Sequence, residues 1–566
     1  MKHNKFIFGT SAVLLCMAWL QPLFLPPWVA FHGEVLAYAA LATIFLAVPI
    51  LSNTTNKLVV SFPEVSLLLL LVLIICQYAV GKIAFLGDVA VYTLYLIGLA
   101  LAIAVGRESS SETNVLEYLA WCIALAALVS VFIALLQTFS IDEQYSFIAP
   151  ASTWRRPGAN LAQPNNLATL FLWGQASILY LYLAKKLNET IALVLMGLMA
   201  VGIAITESRT AFIGMLVLSV WMYMAPAQFG TKSRLVFISL HLGSLVTLFL
   251  LWPKLMWAYH EGAWAIDGED ARILYSQAGA RQVVWTQLIA AAGMQPLFGW
   301  GFGGVSRALN AVIDQYELSY PFTYAHNILV DLLIGVGYPV ACVFAIGWLI
   351  WFARRLSWKP EAGRWLSLAM LIPFVVHCLT EFPFSYAYFL FPVGIAIGTL
   401  DASRSGKLSF RVPRFVLFGV YFFWCLVALL VFRDYVLAEE DFRIARMEAR
   451  KIGSTSVDYS RPKILVLDQL DAINTVTRIT PTPGLSLEDI DLLKKAALRY
   501  PWTALQSRYA LALALNGDIA EAKRQMLVIR AMHGSEAYTR IIENWKSKAA
   551  EKYPQLDAII SILNSI

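Results

Sequence analysis

Apolar residues in this chain come in long unbroken blocks separated by short polar joints, not at the periods that mark the surface of a soluble helix or strand. The blocks fall at 6–25, 35–51, 59–80, 84–105, 116–138, 166–184, 190–206, 210–226, 235–253, 326–352, 364–380, 384–400 and 414–436. A helix crosses the hydrocarbon core with about 20 apolar residues. The pattern therefore predicts an all-α polytopic membrane protein of about 13 transmembrane helices, the crowded pairs in 190–226 and 364–400 setting the margin at one or two. One long, mostly polar interruption, 254–325, breaks the alternation and ends on Tyr324-Ala325-His326-Asn327. Residues 1–436 read as a membrane core containing that large loop, and 437–566 as a soluble helical domain.

Composition agrees with this class. Hydrophobic residues make up 59% of the chain and Asp, Glu, Lys and Arg 14%, against about 25% charged in an average soluble domain. The opening Met1-Lys2-His3-Asn4-Lys5 and the run to Leu25 resemble a signal peptide. No small-x-small cleavage site precedes Pro26-Pro27, so a retained first helix is expected.

Charge placement sets the topology. With a cytoplasmic N-terminus, the cytoplasmic loops hold Lys57, Arg107, Lys185-Lys186, Lys232, Arg234, Arg354-Arg355, Lys359, Arg364, Arg404, Lys407, Arg411 and Arg414. The opposite short loops hold Lys82, Arg155-Arg156 and Arg209. This asymmetry puts the 254–325 loop and the tail on the far side, the periplasm if the membrane is a bacterial inner membrane. In the tail, an apolar helical period from Leu505, then Asn516-Gly517, then a second period resembles one tetratricopeptide-like hairpin, although a generic helical cap leaves the same trace. Leu485-Ser486-Leu487-Glu488-Asp489 predicts a capped helix start.

The six cysteines lie inside apolar runs without a CxxC pair, which reads as buried small hydrophobes and not as a disulfide or zinc framework. The net charge of +6 is mild, and no basic block with interleaved aromatics points to nucleic acid.

Five polar islands on the outer side carry candidate chemistry. Trp154-Arg155-Arg156-Pro157-Gly158-Ala159-Asn160 runs into Gln163-Pro164-Asn165-Asn166 at a helix mouth. A guanidinium fork matches phosphate oxygens, so Arg155 and Arg156 suit an anionic head group, while snorkelling arginines beside a helix cap are the plainer alternative. Glu207-Ser208-Arg209-Thr210 places an arginine between two apolar runs, a costly position unless it binds an anion or pairs with Glu207.

Arg281, Trp285 and Leu288 share a helix face, and Pro296-Leu297-Phe298-Gly299-Trp300-Gly301-Phe302-Gly303 comes after them. No strand precedes those glycines, so they fail the context of a dinucleotide fingerprint and predict a tight turn passing close to other backbone. His326-Asn327 opens the next span, and a histidine can take a proton near neutral pH. Asp331, at i+5, sits on a neighbouring face and is a poor orienter of that ring. Glu381, in His377-Cys378-Leu379-Thr380-Glu381-Phe382-Pro383, either meets an acceptor or pairs with an arginine.

Taken in order, Gln-x-Asn-Asn at a helix mouth, Ser-Arg-Thr after a span, Arg-Gln-x-x-Trp with Pro-x-x-Gly-x-Gly in a large loop, and His-Asn opening the next span resemble the O-antigen ligase superfamily of bacterial membrane glycosyltransferases. Gln163-Pro164-Asn165-Asn166, Glu381-x-Pro383 before a Tyr- and Phe-rich span, and the soluble tail resemble its PglL-type protein O-oligosaccharyltransferases. Pro164 stands where several relatives carry arginine. The resemblance covers about 150–540.

The resemblance implies transfer of a preassembled oligosaccharide from undecaprenyl pyrophosphate to Ser or Thr hydroxyls of pilin-type or other periplasmic proteins, with no metal or other cofactor. It implies His326 as catalytic base and Arg209, Arg281, Arg155 and Arg156 on the donor pyrophosphate. Gln163, Asn165, Asn166, Asn327 and Glu381 would shape the site or meet the acceptor. An O-antigen ligase or polymerase acting on a sugar hydroxyl would share the histidine and arginines. A lipid-linked glycan transporter would call for inverted repeats and broken helices at midplane, and neither is evident.

Overall fold

The computed structural model describes residues 2–47, 57–109, 115–150, 156–226, 229–259, 268–357, 360–402, 409–456 and 458–564. The helices in chain order are α1 Lys2–Leu20, α2 Phe31–Phe45, α3 Phe62–Ala79, α4 Leu86–Glu108, α5 Val115–Thr138, α6 Pro164–Leu183 and α7 Glu189–Ile205. Then come α8 Arg209–Tyr223, α9 Thr231–Tyr259, α10 Gly268–Met294, α11 Val305–Val312, α12 Ile328–Ala353, α13 Ala362–Cys378 and α14 Ala387–Ala402. Last are α15 Arg414–Ala449, α16 Asp468–Arg478, α17 Leu487–Arg499, α18 Thr503–Leu515, α19 Ile519–Glu551 and α20 Gln555–Asn564. One two-stranded antiparallel ribbon, β1 Lys57–Val60 with β2 Phe410–Pro413, interrupts the helical plan, Lys57 standing opposite Pro413.

Each expected apolar block overlaps a helix, residues 48–51 of the second block lying outside the described residues. Among the described residues, six helices are long and apolar enough to cross a membrane: α3, α4, α5, α9, α12 and α15. Six more, α1, α2, α7, α8, α13 and α14, are apolar but shorter. Helix α6 belongs to neither group. Its polar Thr169, Gln175 and Ser177 are buried along with Trp173, because α6 packs against α5, α7, α8 and α13. A helix enclosed by protein does not need the apolar surface that lipid demands. Outward-facing Val343 and Leu349 of α12 and Phe415 and Phe422 of α15 are exposed large apolar side chains, as a lipid-facing surface requires.

The chain forms two compact units. The first comprises 1–71, 93–267 and 347–428. Within it Arg107 meets Glu64 at 2.5 Å and Asp401 at 3.1 Å, and Arg355 pairs with the same Asp401. These side chains are all under 10% exposed. Arg107 and Arg355, counted above as cytoplasmic loop charges, are thus buried and neutralised. The asymmetry of the remaining loop lysines and arginines stands without them.

The second unit comprises 72–92, 268–346 and 429–566. The long loop is largely helical, since α9 runs on to Tyr259 and both α10 and α11 lie within it. The apolar faces of α10 and α11 pack with Ile334 of α12 and with Val528, Ala531 and Met532 of α19, so loop and tail share one core. Residues beyond 436 continue α15 unbroken to Ala449. Asp434, fully buried, accepts the backbone N–H groups of Leu465, Val466 and Leu467 and ties the strap after α15 back onto it.

The expected hairpin is α18 and α19, turning at Asn516-Gly517, where Gly517 has a positive φ of 92°. Ser486 caps α17, its hydroxyl accepting from Asp489 N–H at 3.0 Å. The Gly-x-Gly-x-Gly run adopts positive φ at Gly299, Gly301 and Gly303, conformations that glycine takes at no steric cost.

Candidate functional site

In the first unit, the site is built where the N-termini of α6 and α8 meet. Gln163 is the N-cap of α6, its side chain accepting from Asn166 N–H at 2.6 Å, with Pro164 at the first helical position where no N–H is needed. Ser208 caps α8 in the same way, accepting from Ala211 N–H at 3.2 Å. The Ser208 hydroxyl donates to Asn165 Oδ1 at 2.7 Å, and Asn165 Nδ2 donates to Glu381 Oε1 at 2.9 Å. One carboxamide therefore joins both helix N-termini to the end of α13. Glu381, Ser208 and Asn166 are buried.

Arg156 enters the same network, with Nε donating to Thr206 O at 3.2 Å and a terminal N–H to Asn165 Oδ1 at 3.4 Å. Arg155 lies outside the described residues.

Arg209 stands apart from its neighbours. It is exposed, and among the described residues it has no hydrogen-bond or ion-pair partner, so the pair with Glu207 is not formed. It occupies the first position of α8, where the helix dipole disfavours a cation and favours an anion. Glu207, two residues earlier, has φ 46°, a strained backbone for a residue with a Cβ.

In the second unit, His326 is half-buried, also left-handed at φ 55°, with its ring 4.6 Å from that of Phe322. The turn that holds it there is fixed from both sides. Trp285 Nε1 donates to Ala325 O at 2.6 Å, and Asp331 Oδ1 accepts Ala325 N–H at 2.9 Å. Asn327 then caps α12, its side chain accepting from Leu329 N–H at 3.0 Å and Val330 N–H at 3.3 Å. Asp331 thus orients the backbone that carries the histidine and not its ring. Arg281 is half-buried one helical turn before Trp285, on the α10 face that reaches this turn.

Sequence reasoning passed over Thr206, Ser208 and the indole of Trp285 as parts of these networks. A serine immediately before the apolar run 210–226 is the signal that would have exposed Ser208 as a cap. Among the described residues, no three His, Cys, Asp or Glu side chains group as metal ligands do.

Residues 194–345 match the family described as O-Antigen ligase, and residues 365–548 match one described as Virulence factor membrane-bound polymerase, C-terminal. With its several apolar helices the chain is a multi-helix membrane protein, similar over these residues to the O-antigen ligase superfamily. It is 25% identical over 556 residues to a General O-oligosaccharyltransferase of Acinetobacter baylyi, covering 96% of this chain and 95% of that one. It is also 26% identical over 341 residues to a ComP-specific O-oligosaccharyltransferase of the same organism, covering 60% and 61%. These likenesses support the resemblance to PglL-type O-oligosaccharyltransferases that the motifs carry.

Proposed function

We propose that this chain is an oligosaccharyltransferase of protein O-glycosylation. It moves a preassembled oligosaccharide from undecaprenyl pyrophosphate to Ser or Thr hydroxyls of periplasmic or pilin-type proteins, at the outer face of a bacterial inner membrane. The likeness to two O-oligosaccharyltransferases supports the reaction class. The observation that carries the chemistry is Arg209, an exposed guanidinium with no partner among the described residues, on the anion-favouring end of a helix.

In this reading Arg209, Arg156 and Arg281 hold the pyrophosphate, together with Arg155. His326 removes the acceptor proton. The hydroxyl oxygen attacks the anomeric carbon, the bond from that carbon to the phosphate oxygen breaks, and the pyrophosphate leaves with the electron pair. Charged donors aimed at a departing oxyanion are typically worth about 3–4 kcal/mol each. The Asn165–Ser208–Glu381 network keeps two helix N-termini in place for the anion, and no cofactor has a step in the scheme.

A second reading rests on the polymerase family matched by residues 365–548: the same machinery acting on a sugar hydroxyl, as in an O-antigen polymerase or ligase. Purified enzyme given lipid-linked glycan with an acceptor peptide, and separately with a glycan acceptor, tests both. Glycopeptide with no elongated glycan supports protein transfer. Elongated or lipid A-linked glycan alone replaces it with the second reading.

A further inference from the structure

None of the residues assigned above lines a cavity of about 490 Å³ in the second unit, enclosed by the turn after α3, the Gly299–Gly304 turn, α11 and α17. Its wall is split by chemistry. Tyr78, Ile83, Ala84, Phe302 and Leu498 make one part apolar. Arg307, Lys494, Lys495 and Arg499 bring four positive charges to the other, against the single lining carboxylate of Asp88.

That carboxylate is already engaged. Arg499 Nε reaches both Asp88 oxygens, at 3.1 and 2.9 Å, and a terminal nitrogen donates to Oδ1 at 2.8 Å. Arg307 makes no ion pair among the described residues, the charge of Asp88 reaching it only at a distance and opposing the lowering of its pKa. One of its terminal nitrogens donates to the carbonyls of Lys82 and Trp300, and its other N–H groups have no partner among the described residues. Burial, and then the charge of Arg499, hold the Arg307 guanidinium below its ordinary pKa. Lys82 is lowered in the same way, by burial and then by Arg307. Lys494 and Lys495 are exposed at the rim, where Lys495 Nζ pairs with Asp491 at 2.7 Å and leaves Lys494 beside Arg307 as the excess charge. Partly desolvated positive charge in excess of its counter-charge is costly unless an anion completes it.

Position identifies the anion. Tyr78 and Ala79 line the cavity from the last turn of α3, one of the helices long and apolar enough to span. A tyrosine at the end of a span marks the head-group level, and basic pockets at that level take lipid head groups. Inorganic phosphate would leave the apolar wall unused, whereas glycerol and the first methylenes of an acyl chain would cover it. We propose that this cavity binds the phosphodiester head group of an anionic membrane phospholipid.

The test uses the full-length protein in phosphatidylcholine nanodiscs, with phosphatidylglycerol titrated in and inorganic phosphate as a parallel probe. Native mass spectrometry and thermal melting provide the readouts. Phosphatidylglycerol should be retained over phosphatidylcholine and should raise the melting temperature, while inorganic phosphate does neither. Lys494→Glu with Lys495→Glu should weaken phosphatidylglycerol binding by roughly tenfold or more, from two charges reversed near the surface. If that pair disturbs folding in pure phosphatidylcholine, Lys494→Gln with Lys495→Gln replaces it, with a smaller loss expected. Equal retention of the two lipids, or unchanged binding in both double variants, overturns the proposal. Stabilisation by inorganic phosphate that also displaces phosphatidylglycerol would reassign the cavity to a soluble phosphate and overturn the lipid assignment.

Discussion

Asn165 Nδ2 donates to Glu381 Oε1 at 2.9 Å, across 216 residues of sequence. Because Asn165 also accepts the Ser208 hydroxyl, its carboxamide must present a donor on one side and an acceptor on the other. Asn165→Asp removes the donor and sets a second carboxylate against a buried one, so a stability loss of about 1–3 kcal/mol and a large loss of transfer are expected. Adding Glu381→Gln restores a donor–acceptor pair with its polarity reversed. Thermal melting should show the double variant more stable than Asn165→Asp alone, and additive losses would mean the contact is not the source of the defect.

Arg209 has no partner among the described residues to lose. Arg209→Ala should leave the melting temperature unchanged or slightly raised, since removing a cation from a helix N-terminus relieves about 0.3–1 kcal/mol. Transfer should nonetheless collapse, and Arg209→Lys should rescue it poorly because a point charge cannot make the forked contact. A lysine variant at near-normal rate would remove the pyrophosphate role from this residue.

His326 joins strain to chemistry. Replacing a general base typically costs about 10²–10⁴ in rate, so His326→Ala and His326→Gly should both fail in single-turnover transfer while still binding donor. They should differ in stability. Glycine accepts φ 55° without penalty and alanine does not, so the glycine variant should be the more stable by about 1 kcal/mol. A rate within a few-fold of wild type in either variant would make the histidine structural and leave the proton to another base.

Cutting the chain after Val436 should do more than remove an appendage. The cut strips Val528, Ala531 and Met532 from the core that α10 and α11 share, and leaves the Asp434 carboxylate without its three backbone donors. The truncated protein should still insert, since every apolar span has begun before the cut, but residues 268–346 should become protease-sensitive and transfer to any acceptor should stop. Protection from proteolysis equal to that of the full chain would show that the loop folds without the tail.

His533 offers a pH signature in the tail. Burial lowers its pKa below the ordinary imidazole range, and its Nε2 lies 2.8 Å from Gln506 Oε1. The unfolded chain then binds a proton that the folded chain refuses. Its contribution is level above the unfolded value of about 6.5 and falls as pH drops below it. Melting curves of wild type and His533→Gln should converge in slope above that pH and diverge beneath it, the wild type losing more.

The apolar helices were legible, and six of those described are long enough to cross a membrane, because a bilayer imposes a length and a composition that no local context overrides. What escaped reading depended on long-range packing. Thr169, Gln175 and Ser177 make α6 look polar for a span, yet each meets protein and not lipid. Asp331 at i+5 is misplaced for the His326 ring, and its target is instead the backbone N–H of Ala325, which spacing along the helix does not single out. The polarity of 254–325 reads as loop, since its helices hide their apolar faces against α19, more than 200 residues away. Of the candidate site, residue types and helix-mouth positions were visible. The joining of Asn165, Ser208 and Glu381 required three helix ends to meet, which no local spacing records.

Helix α12 breaks at Gly337, where φ is 78° and ψ 172°, and the turn after α10 occupies the break. Tyr338 N–H donates to Pro296 O at 2.8 Å and Trp300 N–H to Ile334 O at 2.7 Å. A Cβ on Gly337 would lie 2.6 Å from Pro296 O, and one on Gly299 would lie 2.5 Å from Ile334 O. Two glycines nearly forty positions apart therefore behave as one inherited character. Neither can drift to another residue while its counterpart stays, and an insertion or deletion within 296–300 would have to be matched by a change at 334–338. In descendants of this chain, divergence should flow around that pair and leave it as a fixed point for aligning sequences whose remaining loops no longer match.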